Sequence, residues 1–235
     1  MSLILNIETA TQFCSVGLAR DGHILAIRES NEKNIHAAKV SVFAEEVILE
    51  AGMSMKDLEA VAVSMGPGSY TGLRIGVSAA KGFCYALDIP LIAVPTLQSM
   101  ALTASVAAKD IINTEKNILF CPMIDARRME VYTALFDVQN REIRKTEALI
   151  VEADSFDEEL KEHRILYFGD GAEKCLEVLE QEGMSFLDGI LPSSSGMALI
   201  SQEKFKSGAF ADLAYFEPYY LKDFIAGKPK VKGLH

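Results

Sequence analysis

Two acidic residues and two glycine turns are the parts of this sequence best suited to chemistry. Glu8 closes the apolar run Leu3-Ile4-Leu5-Asn6-Ile7, and Asp125 closes the run from Ile118 to Ile124. Gly66-Pro67-Gly68 follows the apolar run Ala60–Met65, and Gly169-Asp170-Gly171 follows Arg164–Phe168. A glycine turn between a buried strand and a helix aims backbone N–H groups at whatever lies above it, and an anion fits there. A carboxylate at each of two facing strand ends can manage a metal ion or a water. Glu8, Gly68, Asp125 and Gly171 are therefore the residues that would hold a nucleotide and its cation. Their surroundings are poor for that task. Thr9-Ala10-Thr11-Gln12 supplies hydroxyls but no lysine or glycine, and Arg127 and Arg128 stand close enough to pair with Asp125. The first turn lacks the Gly-Lys-Ser/Thr of a P-loop and the Gly-x-Gly-x-x-Gly of a dinucleotide site. The residues admit a working phosphotransfer site, a scaffold that kept the turns and lost the chemistry, or a plain strand-to-helix turn capped by Ser69 or Thr71.

The elements that position these residues are written twice. Strands over Leu3–Ile7, Cys14–Arg20 and Ile24–Glu29 form a meander turning at Asp21-Gly22. An amphipathic helix over 37–51 puts Val40, Phe43 and Val47 on one face. The strand Ala60–Met65, the glycine turn, a helix over 72–87, a strand over Leu91–Val94 and a helix opened by Pro95-Thr96 follow. The second half repeats the order: strands over 118–124, 129–136 and 142–150, a helix over 155–162, a strand over 164–168 and a helix over 172–182. Two βββαβα units predict an α/β fold of two pseudo-twofold lobes with a cleft between them. The expected divisions are an N-terminal, partner-binding lobe at 1–108, a C-terminal lobe at 109–210, and a C-terminal segment at 211–235 with a mobile tail.

The helix behind the first glycine turn carries formal charge only at Arg74 and Lys81, so both of its faces should be covered. Gly72, Gly76 and Ala80 recur every four residues, where missing side chains let another backbone approach. The covering helix belongs either to this chain or to a partner chain.

Composition narrows the function. The chain has 235 residues, 49% of them hydrophobic, enough to bury a full core. A net charge of −10 argues against a chain that grips nucleic acid by itself. Cys14, Cys84, Cys121 and Cys175 are scattered without a Cys-x-x-Cys pair, which predicts buried free thiols rather than disulfides or zinc. With no signal-peptide pattern and no membrane-length apolar run, the expected location is the cytoplasm, with no membrane partner.

The motif Gly66-Pro67-Gly68-Ser69-Tyr70-Thr71-Gly72-Leu73-Arg74-Ile75-Gly76 resembles the TsaB (YeaZ) family closely. Ile124-Asp125-Ala126-Arg127-Arg128-Met129-Glu130-Val131-Tyr132 and Pro218-Tyr219-Tyr220-Leu221-Lys222 support the resemblance, which runs from the first strand to about Lys222. It implies the duplicated actin-like ATPase fold (ASKHA, ribonuclease H-like). The implied role is in making N6-threonylcarbamoyladenosine next to the anticodon of tRNAs reading codons that begin with A. In that pathway the metal-binding paralogue TsaD transfers the group, TsaB pairs with TsaD, and the ATPase TsaE joins them. A TsaB homodimer is implied when TsaD is absent, and tRNA is met only through the complex.

The resemblance makes this chain a non-catalytic subunit with no cofactor and no metal of its own. TsaD's metal pair needs His-x-x-x-His, but four residues beyond His36 stands Val40, and Leu191–Gly196 is a poor substitute for the late glycine-rich segment. For the same reason nothing supports peptidase chemistry. The family pairs through its first two helices, which carries onto Val40, Phe43, Ala44 and Val47 of the first helix and Gly72, Leu73, Gly76, Val77, Ala80 and Lys81 of the second. The first group is equally suited to facing the sheet. The alternative is an ASKHA-type nucleotide-dependent phosphotransferase acting on its own through Glu8 or Asp125. Of the other residues, His23 and His163 read as surface groups and His36 as a capping or solvated histidine. The aromatic run from Tyr215 to Tyr220 reads as an anchor of the chain end that could also stack on bases, and the tail Lys228–Gly233 as basic and mobile.

Overall fold

The computed structural model describes residues 2–114 and 117–222, so the basic tail lies outside the described residues. Strands β1 (Leu3–Glu8), β2 (Cys14–Arg20) and β3 (His23–Ser30) form the antiparallel meander, and β4 (Ala60–Gly66) and β5 (Leu91–Pro95) extend it in parallel, in the order β3-β2-β1-β4-β5. The second sheet contains β6 (Ile118–Asp125), β7 (Glu130–Phe136), β8 (Glu142–Ile150), β9 (Arg164–Phe168) and β10 (Met184–Phe186) in the order β10-β9-β6-β7-β8. Read from its other edge this is the first sheet's order, so the duplication seen in the sequence is one of topology.

The apolar runs are strands buried on both faces, which is why they lack polar alternation. In β1, Leu3, Leu5 and Ile7 join one core and Ile4 joins another on the opposite side. The first core is closed by α1 (His36–Glu50) and α2 (Tyr70–Leu87), which lie beside each other on one face of the first sheet. The covering helix foreseen for α2 therefore belongs in part to this chain.

The remaining long helices do not stay with the sheet that precedes them. Helix α3 (Thr96–Ala107) comes from the first 108 residues, yet its Leu97, Met100, Ala101 and Ala104 pack on Phe120, Ile124 and Phe168 of the second sheet. Helix α6 (Ser194–Ser207) comes from the second half, yet its Met197 and Ile200 cover Ile4, Ala62 and Val94. Ser194 Oγ lies 2.7 Å from Ser15 Oγ, and Ser193 Oγ donates to Glu29 at 2.6 Å, fastening α6 to β2 and β3.

Two expected helices shrink. The helix over 155–162 is the single turn α5 (Asp157–Leu160), and the helix over 172–182 is a 3-10 turn at Glu173–Cys175 followed by further turns. Ala172, Cys175 and Leu179 bury against the second sheet through isolated turns, the first two closing i→i−3 and Leu179 closing i→i−4, so packing overrides local propensity there. The short helix α4 (Lys109–Thr114), the strand β10 and the helix α6 had no counterpart in the sequence reading.

Candidate functional site

The two glycine turns face each other across a cleft of about 610 Å³, lined by Gly68, Ser69, Tyr70, Asp125, Arg127, Tyr132 and Asp170, among others. Gly66 and Gly169 open the two turns at corresponding places in the repeated order, and both take a positive φ, of 108° and 109°. Ser69 caps α2 by accepting from the Gly72 N–H at 3.2 Å, one of the two caps foreseen.

One amide of each turn is bonded within the fold. Ser69 N–H donates to the Ala10 carbonyl at 2.6 Å, and Gly171 N–H donates to the Met123 carbonyl at 3.0 Å. A Cβ on Gly68 would overlap the Ala10 carbonyl, and one on Gly171 would press on the Ile124–Asp125 backbone. These glycines let each turn sit directly on the end of the neighbouring strand, which commits the Ser69 and Gly171 amides inside the fold.

The carboxylates are similarly committed. Glu8 is fully buried and does not line the cleft; it accepts from Ala10 N–H at 2.7 Å, while its Oε2 has no partner among the described residues. Burial pushes its pKa up to about 7, against hydrogen bonds from Ala10, Ser64 and Thr9 that pull it down. Asp125 lines the cleft but is ion-paired with Lys174, whose Nζ also donates to the Glu130 carbonyl at 2.7 Å. The expected pairing of Asp125 with Arg127 or Arg128 is therefore corrected: Lys174 takes the carboxylate, and Arg127 gives it only a backbone N–H at 3.1 Å. Sequence reasoning passed over Asp170, which burial and the nearby Asp125 charge move up to about 6, against a hydrogen bond from the Asp125 N–H. Its place inside the second glycine turn was the signal available.

The segment Pro218–Lys222 crosses the cleft mouth. Tyr219 N–H donates to the Met65 carbonyl at 2.7 Å, Tyr220 packs on Tyr70 with ring centroids 4.9 Å apart, and Lys222 ion-pairs with Glu130 on the second lobe. The aromatic run thus anchors the chain end, with Phe216 packed against the first core.

Most candidate partner residues are not on the surface. Val40, Phe43, Ala44 and Val47 are buried in the first core, as are Val77 and Ala80, and Leu73 is also fully buried. A Cβ on Gly72 or Gly76 would overlap Thr9, so the glycine stripe receives the end of β1 rather than a partner helix. The accessible side of α2 lies about one residue round the helix, with Ser78 exposed and Ile75 and Ala79 half-buried. Of the candidates, Lys81 alone is half-buried, and its Nζ donates to the Ala214 carbonyl at 3.2 Å. Ala37, Ser41, Ile75, Ser78 and Ala79 line a groove of about 520 Å³ between α1 and α2, and Tyr85 is 84% exposed farther along.

His23 is exposed and His163 Nδ1 lies 3.3 Å from the Glu159 carbonyl. His36 is corrected: it is buried at the first residue of α1 and makes no side-chain cap. Val40, one turn on, points into the core, so the metal implied for TsaD finds no His-x-x-x-His face here. Among the described residues no three His, Cys, Asp or Glu side chains come together, all four thiols are buried and free, and no helix is long and apolar enough to cross a membrane.

Comparison with known proteins accords with this geometry. Residues 24–226 match the family model described as TsaD: tRNA N6-adenosine threonylcarbamoyltransferase. The chain is 31% identical over 232 residues to the tRNA threonylcarbamoyladenosine biosynthesis protein TsaB of Escherichia coli K12, covering 96% of each chain. It is 33% identical over 137 residues to the TsaB protein of Bacillus subtilis 168, covering 58% of this chain and 56% of that one. Among solved structures, YeaZ from Pseudomonas aeruginosa superposes with a TM-score of 0.74 at 25% identity, over 94% of this chain and 100% of that one. A second Pseudomonas aeruginosa structure, described as an uncharacterized protein with similarity to peptidase YEAZ, has a TM-score of 0.75 at 24% identity, with the same coverage.

Proposed function

This chain belongs to the TsaB (YeaZ) family and takes part in tRNA threonylcarbamoyladenosine biosynthesis, and from that premise we propose that it is the non-catalytic partner of the transferase TsaD. In this reading it pairs with TsaD, holds it in an active form and helps to dock the ATPase TsaE. The observation that carries the reading is the state of the cleft. Glu8 is buried away from it, Asp125 is neutralised by Lys174, and the Ser69 and Gly171 amides are bonded internally. A nucleotide would find no free carboxylate pair for its cation.

Pairing is assigned to the outer face of α1 and α2, where Ser41, Ile75, Ser78 and Ala79 leave room for another helix to approach. The resemblance supplies the partner: the matching helices of TsaD, or of a second TsaB when TsaD is absent. Buried candidates such as Phe43 and Leu73 act by shaping that face from beneath.

Calorimetric titration of the full chain with ATP and Mg²⁺ tests the non-catalytic reading. No binding in the micromolar range is expected. Micromolar binding with hydrolysis that Glu8→Gln or Asp125→Asn abolishes would overturn it in favour of a phosphotransferase.

A further inference from the structure

The hairpin joining β6 to β7 turns at Arg127 and Arg128, which both lie in the left-handed region, with φ of 72° and 52°. The hairpin closes through Ala126 N–H to the Glu130 carbonyl at 3.1 Å and Glu130 N–H to the Arg127 carbonyl at 3.2 Å. Tight hairpins that need consecutive positive φ values use asparagine, aspartate and glycine, since longer L side chains are strained there. Two arginines in this position run against local preference, a pattern that points toward function.

Their charges are also unspent. Arg28 pairs with Glu46 and Glu50, Arg141 with Asp137, and Arg144 with Glu147. Arg127 and Arg128 are exposed, and among the described residues neither guanidinium has an ion pair or hydrogen bond. The acids beside them are already engaged, Asp125 by Lys174 and Glu130 by Lys222. On a chain of net charge −10, this is a local excess of free positive charge. Arg127 lines the inter-lobe cleft together with Tyr132, Tyr219 and Tyr220, of which Tyr219 is 44% and Tyr220 37% exposed.

We propose that Arg127 and Arg128 clamp backbone phosphates of single-stranded RNA at the cleft mouth, with unstacked bases meeting the exposed tyrosines. Guanidinium groups suit phosphate oxygens, and aromatic faces beside them suit the splayed bases of an RNA loop. Free nucleotide is the poorer occupant, because Asp125 is held by Lys174 and the Ser69 and Gly171 amides are bonded within the fold. The proposal rests on the tRNA-modifying role above and adds a direct contact between this chain and the substrate.

Fluorescence anisotropy of a labelled, unmodified tRNA transcript with the full chain, across a potassium chloride series, tests it. Arg127→Gln/Arg128→Gln should weaken binding about tenfold and make the salt dependence shallower by about 2 in log–log slope. Arg127→Asn/Arg128→Gly should lose binding equally while raising the melting temperature, since it installs the turn's preferred residues. Wild-type protein that leaves the transcript unbound, or variants with wild-type affinity and salt slope, would overturn the proposal. So would ATP displacing the transcript at micromolar concentration, which would mark a nucleotide site. Because this assay contains no TsaD, its outcome is separate from whether threonylcarbamoyl transfer needs the chain.

Discussion

Glu8 stands at the end of β1 without solvent contact, its carboxyl moved from an ordinary 4.5 to about 7 by burial. Below about pH 4.5 both folded and unfolded chains hold this proton. Between there and about pH 7 the unfolded chain releases it while the folded chain keeps it, so stability falls as pH rises. The loss is on the order of 3 kcal/mol for a shift of this size. Glu8→Gln keeps an acceptor for Ala10 N–H and removes the titration. Urea unfolding near pH 5 and near pH 8 should show wild type losing stability and the variant losing less. The positions of Glu8 and Asp125 at equivalent strand ends were legible in the sequence. Their charge states were not, since burial depends on packing from both sheet faces and the cation on Asp125 comes from Lys174, 49 residues away.

The α2 glycine spacing shows what sequence conveys about an element and what it withholds. A small residue every fourth position announces a close approach, yet the approaching chain is the Thr9–Ala10 end of β1 rather than a second helix. Gly72→Ala should therefore destabilise the monomer by about 1–3 kcal/mol through overpacking against Thr9. Gly82, on the same helix, is exposed with nothing near its missing Cβ. Gly82→Ala should stabilise by about 1 kcal/mol through helix propensity, and paired denaturation curves should show the opposite signs. The strands were legible because doubly buried strands read as apolar runs. Helix α6 passed unrecognised although Ser193 caps its start and left-handed Gly208 its end. Its apolar positions are few and its serines bond to β2, so no strong period marks it.

At the scale of the molecule, the two lobes are tied by exchange: α3 crosses to the second sheet, α6 returns to the first, and Pro218–Lys222 straps the cleft. The duplication and the cleft were legible from the repeated element order, but the crossing of α3 and α6 was not, because chain order does not say which sheet a helix covers. In the proposed reading, pairing uses the outer face of α1 and α2. Ser78→Arg should abolish association with TsaD in light-scattering chromatography while leaving the melting temperature within a few degrees, because Ser78 is exposed. Retained association would place the interface elsewhere. The central claim, an obligatory but non-catalytic partner, is tested most directly by threonylcarbamoyl incorporation into tRNA with cognate TsaD, TsaE and threonylcarbamoyl-adenylate. Incorporation should require this chain, proceed equally with Glu8→Gln, and be absent with this chain alone. Transfer that is indifferent to the chain, or that this chain performs unaided, would contradict the account.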